Sequence, residues 1–121
     1  MKTYNATGSL AGFESSIFDE GLKLENKWVV NDITVTFEDR FIKINFHHYD
    51  SYYQISGNLI NNAYADANII CDEELCGKLN VSLYPNKAGF ILQGIWKEGE
   101  VSYEVWGKFN WKNKKQYFKL T

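Results

Sequence analysis

The pattern aromatic-x-apolar-x-Gly-x-apolar occurs four times in this chain and restricts its fold more than any other feature. It reads Tyr4-Ala6-Gly8-Leu10, Tyr53-Ile55-Gly57-Leu59, Phe90-Leu92-Gly94-Trp96 and Tyr103-Val105-Gly107-Phe109, with mostly polar residues in between. A period of two is that of a strand with one buried face. Glycine on that face costs backbone entropy and packs nothing, so it needs a structural reason. Curvature supplies one, because glycine lets a strand bend sharply where a sheet closes on itself.

The last two copies flank Lys97-Glu98-Gly99-Glu100, which reads as a hairpin with Glu98-Gly99 at its tip. Counting back from that tip pairs Trp96 with Val101, Gly94 with Tyr103, Leu92 with Val105 and Phe90 with Gly107. Each glycine then faces an aromatic ring that can cover the bare backbone. Elsewhere Ile33-Val35-Phe37 and Ile42-Ile44-Phe46 alternate cleanly, and pairing Phe37 with Ile42 and Val35 with Ile44 keeps both apolar sets on one face. Leu79-Val81-Leu83 is a further strand, stopped by Pro85, and Gln116–Leu120 is expected to close the sheet beside the first strand. The reading is all-β: a small antiparallel up-and-down barrel of about eight to ten strands. With 121 residues the chain has room for one core, so residues 1–121 form a single domain. The high aromatic share, 17%, suits strands. Residues 13–28 and 61–74 stay open between readings. In the first of these, Phe13, Ile17 and Phe18 fit one helical turn, while Asp19-Glu20-Gly21 fits a hairpin.

The meander, the glycine-broken aromatic strands and the size resemble the calycin-type barrels, which include avidin-like and lipocalin-like folds. The resemblance implies the fold alone. No Gly-x-Trp opens the first strand, and no binding residue carries over.

A net charge of −2 gives no general attraction to nucleic acid or anionic membrane. No apolar run is long enough for a transmembrane helix. Met1-Lys2-Thr3-Tyr4 leads straight into alternation with no apolar leader, so a cytoplasmic location and reduced Cys71 and Cys76 are expected.

His47, His48 and Asp50 form the one cluster suited to metal or acid–base chemistry. Alternation from Ile42, Ile44 and Phe46 sends His48 and Asp50 inward and His47 outward, so the two histidines do not share one metal. No metal and no cofactor is expected. The chain has no Gly-rich phosphate loop, nucleophile elbow or HExxH, and Cys71 or Cys76 meets His48 as a nucleophile–base pair only if the fold joins them. An enzyme is therefore the weakest reading, with an isomerase or cyclase at the barrel mouth as its form.

Two functional readings remain. In the first, the domain is a non-catalytic interaction module, of the inhibitor or immunity type or self-associating. It would bind through Ile91, Ile95 and Trp106, three apolar residues on the outward face of the last hairpin. Residues 13–28 are the first candidate for covering that patch within the chain. In the second reading, Tyr53, Trp96, Tyr103 and His48 line a mouth that holds a small hydrophobic or aromatic ligand, with Trp111 among the rings expected there.

Overall fold

All four copies of the repeat lie on strands, with their aromatic, apolar and glycine positions on the inner face. In the computed structural model, which describes residues 3–14, 27–61 and 64–113, eight strands run in chain order. They are β1 (Thr3–Glu14), β2 (Lys27–Glu38), β3 (Phe41–His48), β4 (Ser51–Asn61), β5 (Tyr64–Cys71), β6 (Glu74–Pro85), β7 (Gly89–Glu98) and β8 (Val101–Trp111). Each pairs antiparallel with the next, and β8 returns to β1 to close the barrel. Closure therefore comes from β8, with Ala6 opposite Trp111 and Glu14 opposite Tyr103. The expected closing segment, Gln116–Leu120, lies outside the described residues. Of the segment 61–74 that the sequence left open, Tyr64–Cys71 is a strand and Glu74 starts the next.

The β2–β3 register is the expected one, Phe37 with Ile42 and Val35 with Ile44. The β7–β8 register is not. Glu98 pairs with Val101 and Trp96 with Tyr103, so Gly94 faces Val105, Leu92 faces Gly107 and Phe90 faces Phe109. The turn explains the difference. Gly99 has φ +57°, and a two-residue hairpin loop needs positive φ at its first position, so Gly99-Glu100 forms the tip. A shift of two positions preserves the faces, and the inward set stands.

The aromatic cover proposed for Gly94 is thus absent, and close approach takes its place, whereas Gly107 is covered by the Phe109 ring of its own strand, which a Cβ would meet at 2.6 Å. A Cβ on Gly94 would sit 1.9 Å from the carbonyl oxygen of Asn80 on β6. The same atom on Gly8 would meet the carbonyl of Lys108 on β8 at 1.9 Å. Neighbouring strands coil so tightly here that no side chain fits between them, which is how a barrel this narrow turns its corners.

The middle of the barrel is filled with aliphatic side chains, Ile33, Val35, Ile44, Ile55, Ile69, Leu79 and Leu92, each 0–1% exposed. Below them the end nearest the β1 N-terminus is plugged by rings. Phe90 stacks on Phe109 at 5.0 Å and meets Phe37 edge-on at 5.5 Å, with Trp111 5.2 Å from Phe90. Trp111 is anchored by its indole N–H, which donates to the Asn86 carbonyl at 3.1 Å. It belongs to this plug and not to the pocket at the other end, because the pairing of β8 with β1 carries its C-terminus to the closed end. Among the described residues no polar side chain is fully buried, and no helix is long and apolar enough to cross a membrane.

Cys71 and Cys76 are joined in a disulfide across the β5–β6 hairpin, with Cα atoms 5.9 Å apart, contrary to the expected thiols. Asp72 and Glu73 both adopt positive φ in that turn, which brings the flanking strands within bridging distance.

Candidate functional site

Among the described residues the end opposite the plug is open. Here the inward positions are aromatic, contributed by the start of β2 (Trp28), the end of β3 (Phe46, His48), the start of β4 (Tyr53), the end of β7 (Trp96) and the start of β8 (Tyr103). Together with Lys27, Tyr49 and Glu98 they line a cup of about 250 Å³. Phe46 and Trp96 are its buried floor, 6% and 3% exposed. Tyr53 stacks on Phe46 at 5.1 Å and meets Trp96 at 5.7 Å. On the other side Trp28 stands edge-on to Trp96 at 5.4 Å and to Tyr103 at 6.0 Å. These offsets are favoured aromatic geometries, so the walls are held by one another and not only by the backbone.

The structure brings Tyr53, Trp96, Tyr103 and His48 to this one cup, as the alternation placed them. It adds Trp28, which the same reasoning misses. Counting back from the inward Ile33 makes Asn31 and Val29 inward and Trp28 outward. A bulge at Asn31-Asp32 reverses the phase: Asp32 has φ +58°, the pairing with β1 shifts between Gly8 and Leu10, and Val30 is buried while Val29 is exposed. The available signal was two polar residues at a point where strict alternation asks for an apolar one, with an Asp that tolerates positive φ. Gly12 completes the arrangement. A Cβ there would lie 2.2 Å from the Trp28 ring, so the missing side chain makes room for the indole.

Polar groups are few in the cup. The Trp96 indole N–H donates to Glu98 Oε1 at 2.8 Å. Glu98 is the one carboxylate among the described lining residues. Lys27 also lines the rim, but its ammonium lies 5.6 Å from the Phe13 ring, on the outer face. His48 packs 6.1 Å from Trp28 and 4.5 Å from the exposed Tyr49. The Tyr53 hydroxyl is pushed above the usual phenol range by burial first, then by the negative charges of Glu98 and Asp72. Burial, then Glu14 and Glu98, do the same to Tyr103. Glu98, Asp72 and Glu14 thus set negative charge near these two hydroxyls.

Other expected sites fare differently. Asp50 is exposed in the β3–β4 turn and does not face inward, because alternation ends with the strand at His48. His47 is outward, 4.6 Å from Tyr52. Ligand-type atoms of Cys71, Cys76 and Glu98 lie within 4.8 Å of one another, yet the two sulfurs are bonded together and offer neither a thiolate to a metal nor a nucleophile to pair with His48. On the outer face, Trp106 lies opposite Gln93, while Ile91 pairs with Lys108 and Ile95 with Glu104. Trp106 is 51% exposed, whereas Ile91 and Ile95 are half-buried. Trp106, Ile95 and Tyr84 share a shallow depression that Ile91 does not line. Of the segment expected to cover this patch, Trp28 lies in the cup and residues 15–26 are outside the described residues.

Comparison with protein-family models, with curated proteins and with solved structures finds no match to this chain.

Proposed function

We propose that this protein is a small-molecule-binding barrel whose site is the aromatic cup. The observation that carries the reading is the contrast between the two ends. One is packed solid by Phe37, Phe90, Phe109 and Trp111, while at the other a comparable number of rings surround about 250 Å³ of space. Rings that served only as core would fill that space. The volume is below the usual range for drug-sized ligands, so the occupant is small. A cytoplasmic setting would keep Cys71 and Cys76 reduced, and their bridge supports an oxidising compartment instead. The test is tryptophan fluorescence during titration with a panel of small aromatic and hydrophobic metabolites. A saturable change that Tyr53→Ala weakens is expected, and a silent panel would overturn the reading.

A second reading, a protein-binding or self-associating module, rests on the half-exposed Trp106 beside Ile95. Under it, Trp106→Ser abolishes association with little change in melting temperature. A variant that unfolds would show instead that the ring is structural.

A further inference from the structure

We propose that the cup selects organic ammonium ions, with the cationic nitrogen held by Glu98 and the aromatic walls; this rests on the ligand-binding reading above. A small cavity walled by Trp28, Tyr53, Trp96 and Tyr103 surrounds a bound cation with several aromatic rings and the phenol groups of two tyrosines. Such a site attracts an ammonium more than it attracts a neutral body of the same shape, because the ring quadrupole interacts with charge.

The carboxylate strengthens that preference. Glu98 Oε1 already accepts from the Trp96 indole, which fixes the carboxylate above the floor. Asp72 is tied to the same rim by accepting the Tyr52 backbone N–H at 2.9 Å. Glu14, at the end of β1 opposite Tyr103, adds a third negative charge. The countercharge at the rim, Lys27, stands over Phe13 on the outer face, and the remaining titratable groups lining the cup are His48 and the tyrosines. The raised tyrosine hydroxyls report the same negative field, in addition to their burial. An anionic ligand would meet Glu98 and Asp72 with no described cation pointing inward to offset them. A neutral aromatic would gain ring contacts alone.

The experiment uses three probes of nearly equal shape, phenethylamine, 2-phenylethanol and 3-phenylpropionate, titrated into the intact disulfide-bonded protein by calorimetry. Phenethylamine is expected to bind about tenfold more tightly than the alcohol, and the acid least. Glu98→Gln keeps an acceptor for Trp96 but removes the charge. It should cut the amine's affinity about tenfold and leave the alcohol's unchanged. An unshifted melting temperature would show that the variant is folded, and a variant that melts early would be replaced by a salt titration of the wild type, in which only the amine's affinity falls. If the alcohol or the acid binds as well as the amine, the charge preference is wrong while the cup remains a ligand site. If none of the three binds, both the preference and the cup reading are overturned.

Discussion

The indole N–H of Trp96 donates to Oε1 of Glu98 at 2.8 Å, across two residues of the same strand. Alternation along β7 puts both side chains on the inner face, so the deepest ring of the cup and the one carboxylate among its described lining residues are locked to each other. A buried indole needs an acceptor, and a carboxylate beside apolar rings needs a donor. Each meets the other's requirement without a ligand. The charge is consequently in place before anything binds.

That charge should be visible in the tyrosines. Tyr53 and Tyr103 hold their protons above the ordinary phenol value of 10.0, through burial first and neighbouring carboxylates second. The folded state therefore keeps these protons at a pH where the unfolded chain has lost them. Their contribution to stability is complete below pH 10.0 and is lost as pH rises through the folded values. Tyrosinate absorbance should show Tyr53 and Tyr103 titrating late, and Glu98→Gln should move both to lower pH. If Glu98→Gln leaves both phenols where they were, the rim carries no such field.

Gly12 and Trp28 give a second prediction. A side chain at position 12 would overlap the Trp28 ring, at 2.2 Å for the Cβ alone. Gly12→Val should push the indole out of the cup and cost about 1–3 kcal/mol of stability. Tryptophan emission should shift to the red as the ring enters water, and ligand binding should weaken. An unshifted spectrum with unchanged binding would mean that Trp28 has another place to pack.

Two glycines should separate the two reasons for glycine in this fold. Gly94 lacks room, with the Asn80 carbonyl 1.9 Å from a Cβ, whereas Gly99 has open space but φ +57°. Gly99→Ala should cost about 1 kcal/mol, the strain of one residue in the left-handed region. Gly94→Ala must move a neighbouring backbone and should cost more, about 3 kcal/mol. Urea unfolding of the two variants measures both, and the reverse order would refute the close-approach argument.

The disulfide closes a short loop, with a sequence separation of 5 between Cys71 and Cys76. Chain entropy alone assigns such a link about 2 kcal/mol. The β5–β6 turn already holds the strands together, so reduction should lower the melting temperature while far-ultraviolet dichroism stays that of the barrel. Loss of the β signal on reduction would show that the bridge is required for folding.

The amino-acid sequence by itself determined the inner face of most strands, and with it the core and much of the cup. Period-two alternation is a local property, so Tyr53, Trp96, Tyr103 and His48 could be assigned to the interior without knowing what lay across from them. The glycines announced closure for the same reason. Tertiary structure alone decided which strand closes the barrel, the register of β7 on β8, the bridging of Cys71 to Cys76 and the fate of each ring. Trp96 and Trp111 are alike in sequence terms, both inward and aromatic. Only the up-and-down order of the strands puts one in an open cup and the other in a plug. Trp28 enters the cup through a bulge whose φ +58° at Asp32 is set by pairing with β1, a partner far away in the chain. Alternation tells a residue which side to face, and the partner strand tells it what it will find there.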